Sequence, residues 1–284
     1  MLKSALQIPV TFDESGVLLP DMPDFDLAQT LDCGQAFRWE EQMDGSFIGI
    51  AHKKRCRISR EGDAVRLWGI SRASFEQVWH PYFDLGRDYA ALKRRFSSDP
   101  ALARAVEYAP GIRVLRQEPW EALCSFIISQ NNHVKRMKGI VSRFCELLGE
   151  PAEGGGFAFP SPEAVASCSP ADLAPLRAGF RARYLVDAAQ KVVSGQVDLE
   201  ACCSLPLPEA RAMLTRITGV GVKVADCALL YGCGRVECFP IDVWMRRVME
   251  RLYPDGLPDC ARGYEGIAQQ YLFHYARTTG LGTV

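Results

Sequence analysis

Hydrophobic and polar positions change rhythm once along the chain. Before about residue 75 the apolar residues come in short, strand-like runs. Ala36-Phe37-Arg38-Trp39 and Ser46-Phe47-Ile48-Gly49-Ile50 flank Asp44-Gly45, and Arg57-Ile58-Ser59 and Ala64-Val65-Arg66-Leu67-Trp68 flank Glu61-Gly62-Asp63. Acid–glycine turns between β-rich runs predict an antiparallel meander. From Phe75 onward the period is helical. Pro119 to Ser129 is apolar at Ala122, Leu123, Phe126 and Ile127 and reads as a buried helix; Val134 to Leu148 makes a second one after Gln130-Asn131-Asn132-His133. Ser161-Pro162-Glu163 and Ser169-Pro170-Ala171-Asp172 each place a capping serine before a proline, predicting two further helix starts. The expected fold is α+β: an antiparallel sheet domain over residues 1–112 packed on an all-helical domain over 113–284.

Composition narrows this little. The 284 residues have room for roughly two domains, and 48% hydrophobic with 24% charged residues is ordinary for a soluble globular chain. The apolar runs are too short to cross a bilayer, and MLKSALQIPVTFDESG lacks the apolar core and cleavage site of a secretory signal. An intracellular setting is expected, in cytoplasm, nucleoid or nucleus. The eleven cysteines include no C-x-x-C, Cys202 and Cys203 are adjacent, and only Cys227, Cys233 and Cys238 approach ligand-like spacing. They read as small buried hydrophobes in a reducing compartment, so no metal is expected.

The stretch Thr218-Gly219-Val220-Gly221-Val222-Lys223-Val224-Ala225-Asp226 carries the first chemistry. It is no dinucleotide fingerprint: the third glycine is absent, and a helical pattern over Pro208–Ile217 stands where a strand should. The P-loop spacing and its Ser/Thr after lysine are also missing. What remains is helix, glycine turn, helix, with Val222 to Tyr231 as the second element. The backbone N–H groups of Gly219 and Gly221 in such a turn suit a phosphate oxygen, although the turn alone reads more readily as a bare connector between packed helices. Lys223 falls in the first turn of its helix among valines. The positive end of the dipole and the apolar surroundings both favour a neutral amine, the form that attacks carbon. Nineteen residues on, Asp242 in Phe239-Pro240-Ile241-Asp242-Val243 reads by itself as an N-cap, a position that also keeps a carboxylate ionised.

Taken together, Gly219-Val220-Gly221-Val222-Lys223-Val224-Ala225-Asp226-Cys227 and Pro240-Ile241-Asp242-Val243 resemble the helix–hairpin–helix DNA glycosylases, in detail the 8-oxoguanine DNA glycosylase/AP lyase branch. The resemblance runs from about Phe25 to Phe273. It implies that Lys223 attacks C1′ of the damaged nucleotide, that Asp242 stabilises the oxocarbenium-like transition state, and that a Schiff base followed by β-elimination nicks the strand. Leu31-Asp32-Cys33-Gly34-Gln35-Ala36-Phe37-Arg38-Trp39 matches the motif whose glycine carbonyl, here Gly34, accepts N7–H of 8-oxoguanine. Guanine has a lone pair there and would meet it acceptor to acceptor. Ala268-Gln269-Gln270-Tyr271-Leu272-Phe273 matches the base pocket: Phe273 stacks on the flipped base, Cys227 lies on its other face, and Gln269 bonds its Watson–Crick edge.

Two loops complete the resemblance. In Gln130-Asn131-Asn132-His133-Val134-Lys135-Arg136, Asn131 fills the gap left by the extruded base and Arg136 reads the opposite cytosine. In Gly179-Phe180-Arg181-Ala182-Arg183-Tyr184, Phe180 is a wedge and Arg181 a second cytosine reader. These loops also concentrate basic residues, Lys135, Arg136, Lys138 and Arg143 in one and Arg177, Arg181 and Arg183 in the other. A net charge of −1 therefore does not exclude a DNA-binding face. Three positions depart from the family pattern. Thr218 replaces a common proline, which loosens the turn; Trp244 stands where some members have a phosphate-binding histidine; His133 replaces a third asparagine. The four-cysteine iron–sulfur loop of endonuclease III-like relatives is missing. The expectation is a monomeric enzyme without cofactor, acting on double-stranded DNA containing 8-oxoguanine and away from membranes. The alternatives are a helix–hairpin–helix glycosylase for another damaged base and a non-catalytic DNA-binding protein.

Overall fold

The computed structural model describes residues 8–280. The N-terminal part is a six-stranded antiparallel sheet in the order β1-β2-β6-β5-β4-β3, with β1 Thr11–Asp13, β2 Gly16–Leu19, β3 Trp39–Glu41, β4 Phe47–Ala51, β5 Lys54–Glu61 and β6 Ala64–Trp68. The meander predicted around Asp44-Gly45 and Glu61-Gly62-Asp63 is present as β3 to β6, except that Ala36-Phe37-Arg38 precedes β3, with Phe37 in the helical core and Arg38 paired with Glu121. The hairpin β1–β2 extends it along β6, with Gly16 opposite Trp68. Alternation sends Phe47, Gly49 and Ala51 of β4 and Val65 and Leu67 of β6 to the buried face. There they meet Trp39, Trp79 and Phe83 in a core of their own.

The second core belongs to the helices. Pro119–Ser129 and Val222–Gly232 lie against each other at its centre, close enough that a Cβ on Gly232 would come within 2.7 Å of the Pro119 Cα. Around them pack Val134–Leu148, Arg181–Val193, Val243–Leu252 and Glu265–Thr279. Helices Tyr89–Phe96 and Pro100–Tyr108 bury Leu92, Phe96, Leu102 and Val106 in this core, although they precede residue 113. The start predicted at Ser169 leads to no α-helix, only to a short 3₁₀ turn at Ala174–Leu176. Asp172 turns back to accept both the N–H (2.8 Å) and the hydroxyl (2.7 Å) of Ser169, and the chain continues in turns to Arg177, whose φ is 56°. These are capping-box contacts, completed by the Asp172 N–H on Ser169 Oγ at 3.4 Å, but left-handed Arg177 ends the stretch after one 3₁₀ turn. By contrast Ser161 caps Pro162–Ala166 as expected.

Candidate active site

The glycine turn joins helix Leu207–Leu214 to Val222–Gly232. Gly219 has a φ of +81°, and a Cβ there would lie 2.4 Å from the Tyr184 ring, so only glycine allows this approach. Gly221 is different: its φ is −96°, nothing lies within 4 Å of a Cβ built on it, and no side chain caps the helix it begins. Its free helix N-terminus faces outward. Asp226 locks the two helices together, accepting from Arg211 at 2.6 and 3.2 Å while itself buried.

Lys223 leaves the first turn of this helix toward a cavity of about 140 Å³. Its Nζ lies 3.4 Å from Ser129 Oγ and 5.3 Å from the Phe126 ring centroid. Phe126 in turn stacks on Tyr231, centroids 5.1 Å apart and planes 15° from parallel. Asp242 lines the same cavity and caps Val243–Leu252, accepting the Met245 N–H at 2.8 Å, so the capping and cavity roles coexist. No ion pair within 4.0 Å joins Lys223 to Asp242 among the described residues, although both line the cavity.

Gly34, Cys227, Gln269 and Phe273 line this cavity as well. Cys227 is buried beside Lys223. Burial pushes its thiol up to about 11, against the pull of the Lys223 charge, so at neutral pH it is an uncharged packing surface rather than a rival nucleophile. Gln269 is 4% exposed, and its Oε1 has no partner among the described residues. Gly34, at a φ of +94°, is held by its neighbour Gln35. That fully buried amide donates to the carbonyls of Thr30 (2.8 Å) and Arg113 (2.7 Å) and accepts the Leu115 N–H at 2.9 Å. A larger cavity of about 270 Å³ between β4 and helix Val134–Leu148 contains neither Lys223 nor Asp242, so volume does not choose the site.

Comparison with known proteins agrees with this geometry. The family description "8-oxoguanine DNA glycosylase, N-terminal domain" matches residues 17–123, and "HhH-GPD superfamily base excision DNA repair protein" matches 124–257. The 8-oxoguanine glycosylase/lyase of Clostridium acetobutylicum, solved with duplex DNA containing cytosine opposite 8-oxoguanine, superposes with a TM-score of 0.89 at 36% identity, over 96% of this chain and 98% of that one. The chain belongs to the 8-oxoguanine DNA glycosylase family. The N-glycosylase/DNA lyases of Saccharomyces cerevisiae and Arabidopsis thaliana are 29% and 28% identical, over 80% and 89% of this chain and 68% and 74% of their own lengths.

The remaining expected site residues of this 8-oxoguanine DNA glycosylase family member lie outside the cavity. Asn131 is exposed in a left-handed conformation, φ 50°, between helices Pro119–Ser129 and Val134–Leu148. Phe180 is 47% exposed and meets Tyr184 edge to face. Arg136 is exposed, with one 3.5 Å contact to the Arg177 carbonyl. Arg181 is 3% exposed: its guanidinium bonds the Gln130 carbonyl and, at 3.2 Å, that of Ala178, tying the two loops together. Other basic residues are similarly occupied, Lys138 with Asp32 at 2.6 Å and Arg143 with the Leu176 carbonyl at 2.8 Å. Lys135, Arg136, Arg177 and Arg183 stay exposed.

Two departures from the family pattern have local explanations. Thr218 does not loosen the turn: its N–H, which proline would lack, donates to Asp187 at 2.7 Å, and Asp187 also pairs with Lys191 at 2.8 Å. His133 caps Val134–Leu148 through Nδ1, 3.3 Å from the Arg136 nitrogen. The cavity also includes Phe126, Ser129, Asn132, Tyr231 and Arg277, none assigned a role from the sequence. Asn132 was visible in the asparagine loop; its Oδ1 is buried without a partner, while Nδ2 donates to the Ile128 carbonyl at 2.7 Å. Among the described residues no group of three His, Cys, Asp or Glu is placed to hold a metal, and no helix is long and apolar enough to cross a membrane.

Proposed function

We propose that the protein is a bifunctional DNA glycosylase/AP lyase that excises 8-oxoguanine paired with cytosine. The observation carrying this reading is one cavity lined by the Lys223 amine and the Asp242 carboxylate together with Cys227, Phe273 and Gly34. In this reading the unprotonated Lys223 Nζ bonds to C1′. The C1′–N9 bond breaks with its electron pair going to the base, which takes up a proton. Ionised Asp242 stabilises the positive charge that gathers on the sugar in between. Opening of the sugar ring at O4′ leaves a C1′=Nζ imine. Loss of a C2′ proton then expels the 3′-phosphate, and hydrolysis of the imine frees the lysine.

The base recognition we propose is a carbonyl of Gly34 accepting N7–H, Gln269 at the Watson–Crick edge, and Cys227 and Phe273 on the two faces. The unpartnered Gln269 Oε1 supports this, because a buried amide oxygen without a donor is costly unless a ligand supplies one. Gly219 and Gly221 are assigned to phosphates, Asn131 to the space the base vacates and Phe180 to the wedge. Arg136 is the primary cytosine reader, being exposed; Arg181 would have to leave the Gln130 carbonyl to join it. We also propose the working division at residue 112, with Tyr89–Tyr108 seated on the second domain. The test is a single-turnover comparison of base release from duplexes carrying 8-oxoguanine, other oxidised bases or alkylated bases. 8-Oxoguanine opposite cytosine should be released fastest. Faster release of an alkylated base would favour the alternative glycosylase, and no release with salt-sensitive binding would leave a DNA-binding protein.

A further inference from the structure

Arg277 is the charged cavity residue to which the proposed reaction gives no role. It sits in the last turn of Glu265–Thr279, on the same helix face as Gln269 and Phe273, since the three are four residues apart in succession. Its guanidinium lies 5.5 Å from the Phe273 ring, and Nη1 would be 3.3 Å from a Cβ built on Gly34. Among the described residues it has no hydrogen-bond acceptor and no carboxylate partner. A half-buried cation with five donors thus borders the slot beside the Gly34 backbone.

The line from Gln269 through Phe273 to Arg277 spans about 12 Å along the helix at 1.5 Å per residue. A purine stacked on Phe273 with its pyrimidine end toward Gln269 presents its imidazole end toward Arg277. In 8-oxoguanine that end carries O8, a carbonyl acceptor adjacent to N7–H; in guanine it carries C8–H. We infer that Arg277 donates a hydrogen bond to O8 of the flipped base, so that the two atoms distinguishing the lesion are read together, N7–H by Gly34 and O8 by Arg277. This rests on the base orientation proposed above. A guanidinium facing C8–H gains no bond, so the contact also discriminates against the undamaged base. The competing role for Arg277 is packing against Phe273, helped by the negative end of its helix.

The experiment compares wild type, Arg277→Met and Arg277→Lys on an 8-oxoguanine:cytosine duplex under single-turnover conditions, and on the same duplex with a preformed abasic site. Methionine keeps contact with the Phe273 ring but donates nothing, and lysine restores one cationic donor. Base release by Arg277→Met should fall about 10- to 100-fold, as expected for loss of a charge-assisted bond, with partial recovery in Arg277→Lys. Nicking of the abasic site, which has no base to read, should change by less than about threefold. Release by Arg277→Met within about threefold of wild type would overturn the inference, as would equal losses of release and nicking, which mark a structural role. Wild type inactive on 8-oxoguanine would instead remove the parent reading and the inference with it.

Discussion

Replacing Gly34 with alanine tests whether the base slot is shaped by backbone. At a φ of +94° an L side chain is strained, at a cost of about 1–3 kcal/mol if the backbone holds. The new methyl would approach Arg277 Nη1 at 3.3 Å and Phe273 Cε1 and Val134 Cγ2 at 3.8 Å each, so it would project into the lining of the cavity itself. Relief by relaxing φ is opposed by Gln35, whose three bonds fix the next residue. The methyl thus either fills part of the slot or turns the Gly34 carbonyl away from N7. Losing one such bond and the fit around it should cost about 3 kcal/mol in the transition state, near 100-fold in excision. The assay is single-turnover release of 8-oxoguanine, with urea unfolding to measure the strain and nicking of an abasic duplex as control. Excision retained within about threefold, in a variant destabilised as expected, would refute the reasoning.

Asp242→Asn keeps the cap on Val243–Leu252, because asparagine also accepts from the Met245 N–H, but removes the charge; excision should fall by about two orders of magnitude or more with little change in melting temperature, measured together by single-turnover kinetics and thermal unfolding. Arg136→Met should raise excision opposite adenine, guanine or thymine relative to cytosine by about tenfold in a four-duplex panel, and an unchanged ratio would remove Arg136 from that role. Burial raises Glu121 to about 7 from 4.5 although Arg38 lies 3.4 Å away and pulls the other way. A carboxyl raised in the folded state stabilises fully below the unfolded value and loses that contribution as pH climbs. Urea unfolding should therefore show stability falling by about 3 kcal/mol between pH 4.5 and 7, and Glu121→Gln should flatten that slope.

What could be read from the chain was mostly local. The starts at Pro119, Val134 and Val222 and the cap at Asp242 follow from residues within one turn of each helix end. The strands after residue 36 follow from their acid–glycine turns. Failures came where a local signal met a competitor or where tertiary contacts decide. Ser169 has the same Ser-Pro start as Ser161 and even a capping partner in Asp172, but the chain closes at left-handed Arg177 after one 3₁₀ turn. Thr218 looked like a defect until Asp187, distant in sequence, supplied its acceptor. Arg181, expected as a cytosine reader, is buried on the Gln130 carbonyl, a long-range contact with no local signal in the sequence. Arg277 and Tyr231 carry no motif, and only the packing of the two central helices and the C-terminal helix around one cavity brings them beside Lys223.

The central claim is that the Lys223 amine forms the covalent bond to C1′, and borohydride trapping tests it most directly. Wild type incubated with 8-oxoguanine:cytosine duplex and reductant should yield a protein–DNA adduct whose digestion places the linkage on Lys223, and Lys223→Gln should yield none. An adduct of wild-type yield in Lys223→Gln, or a linkage mapped to another residue, would contradict the account.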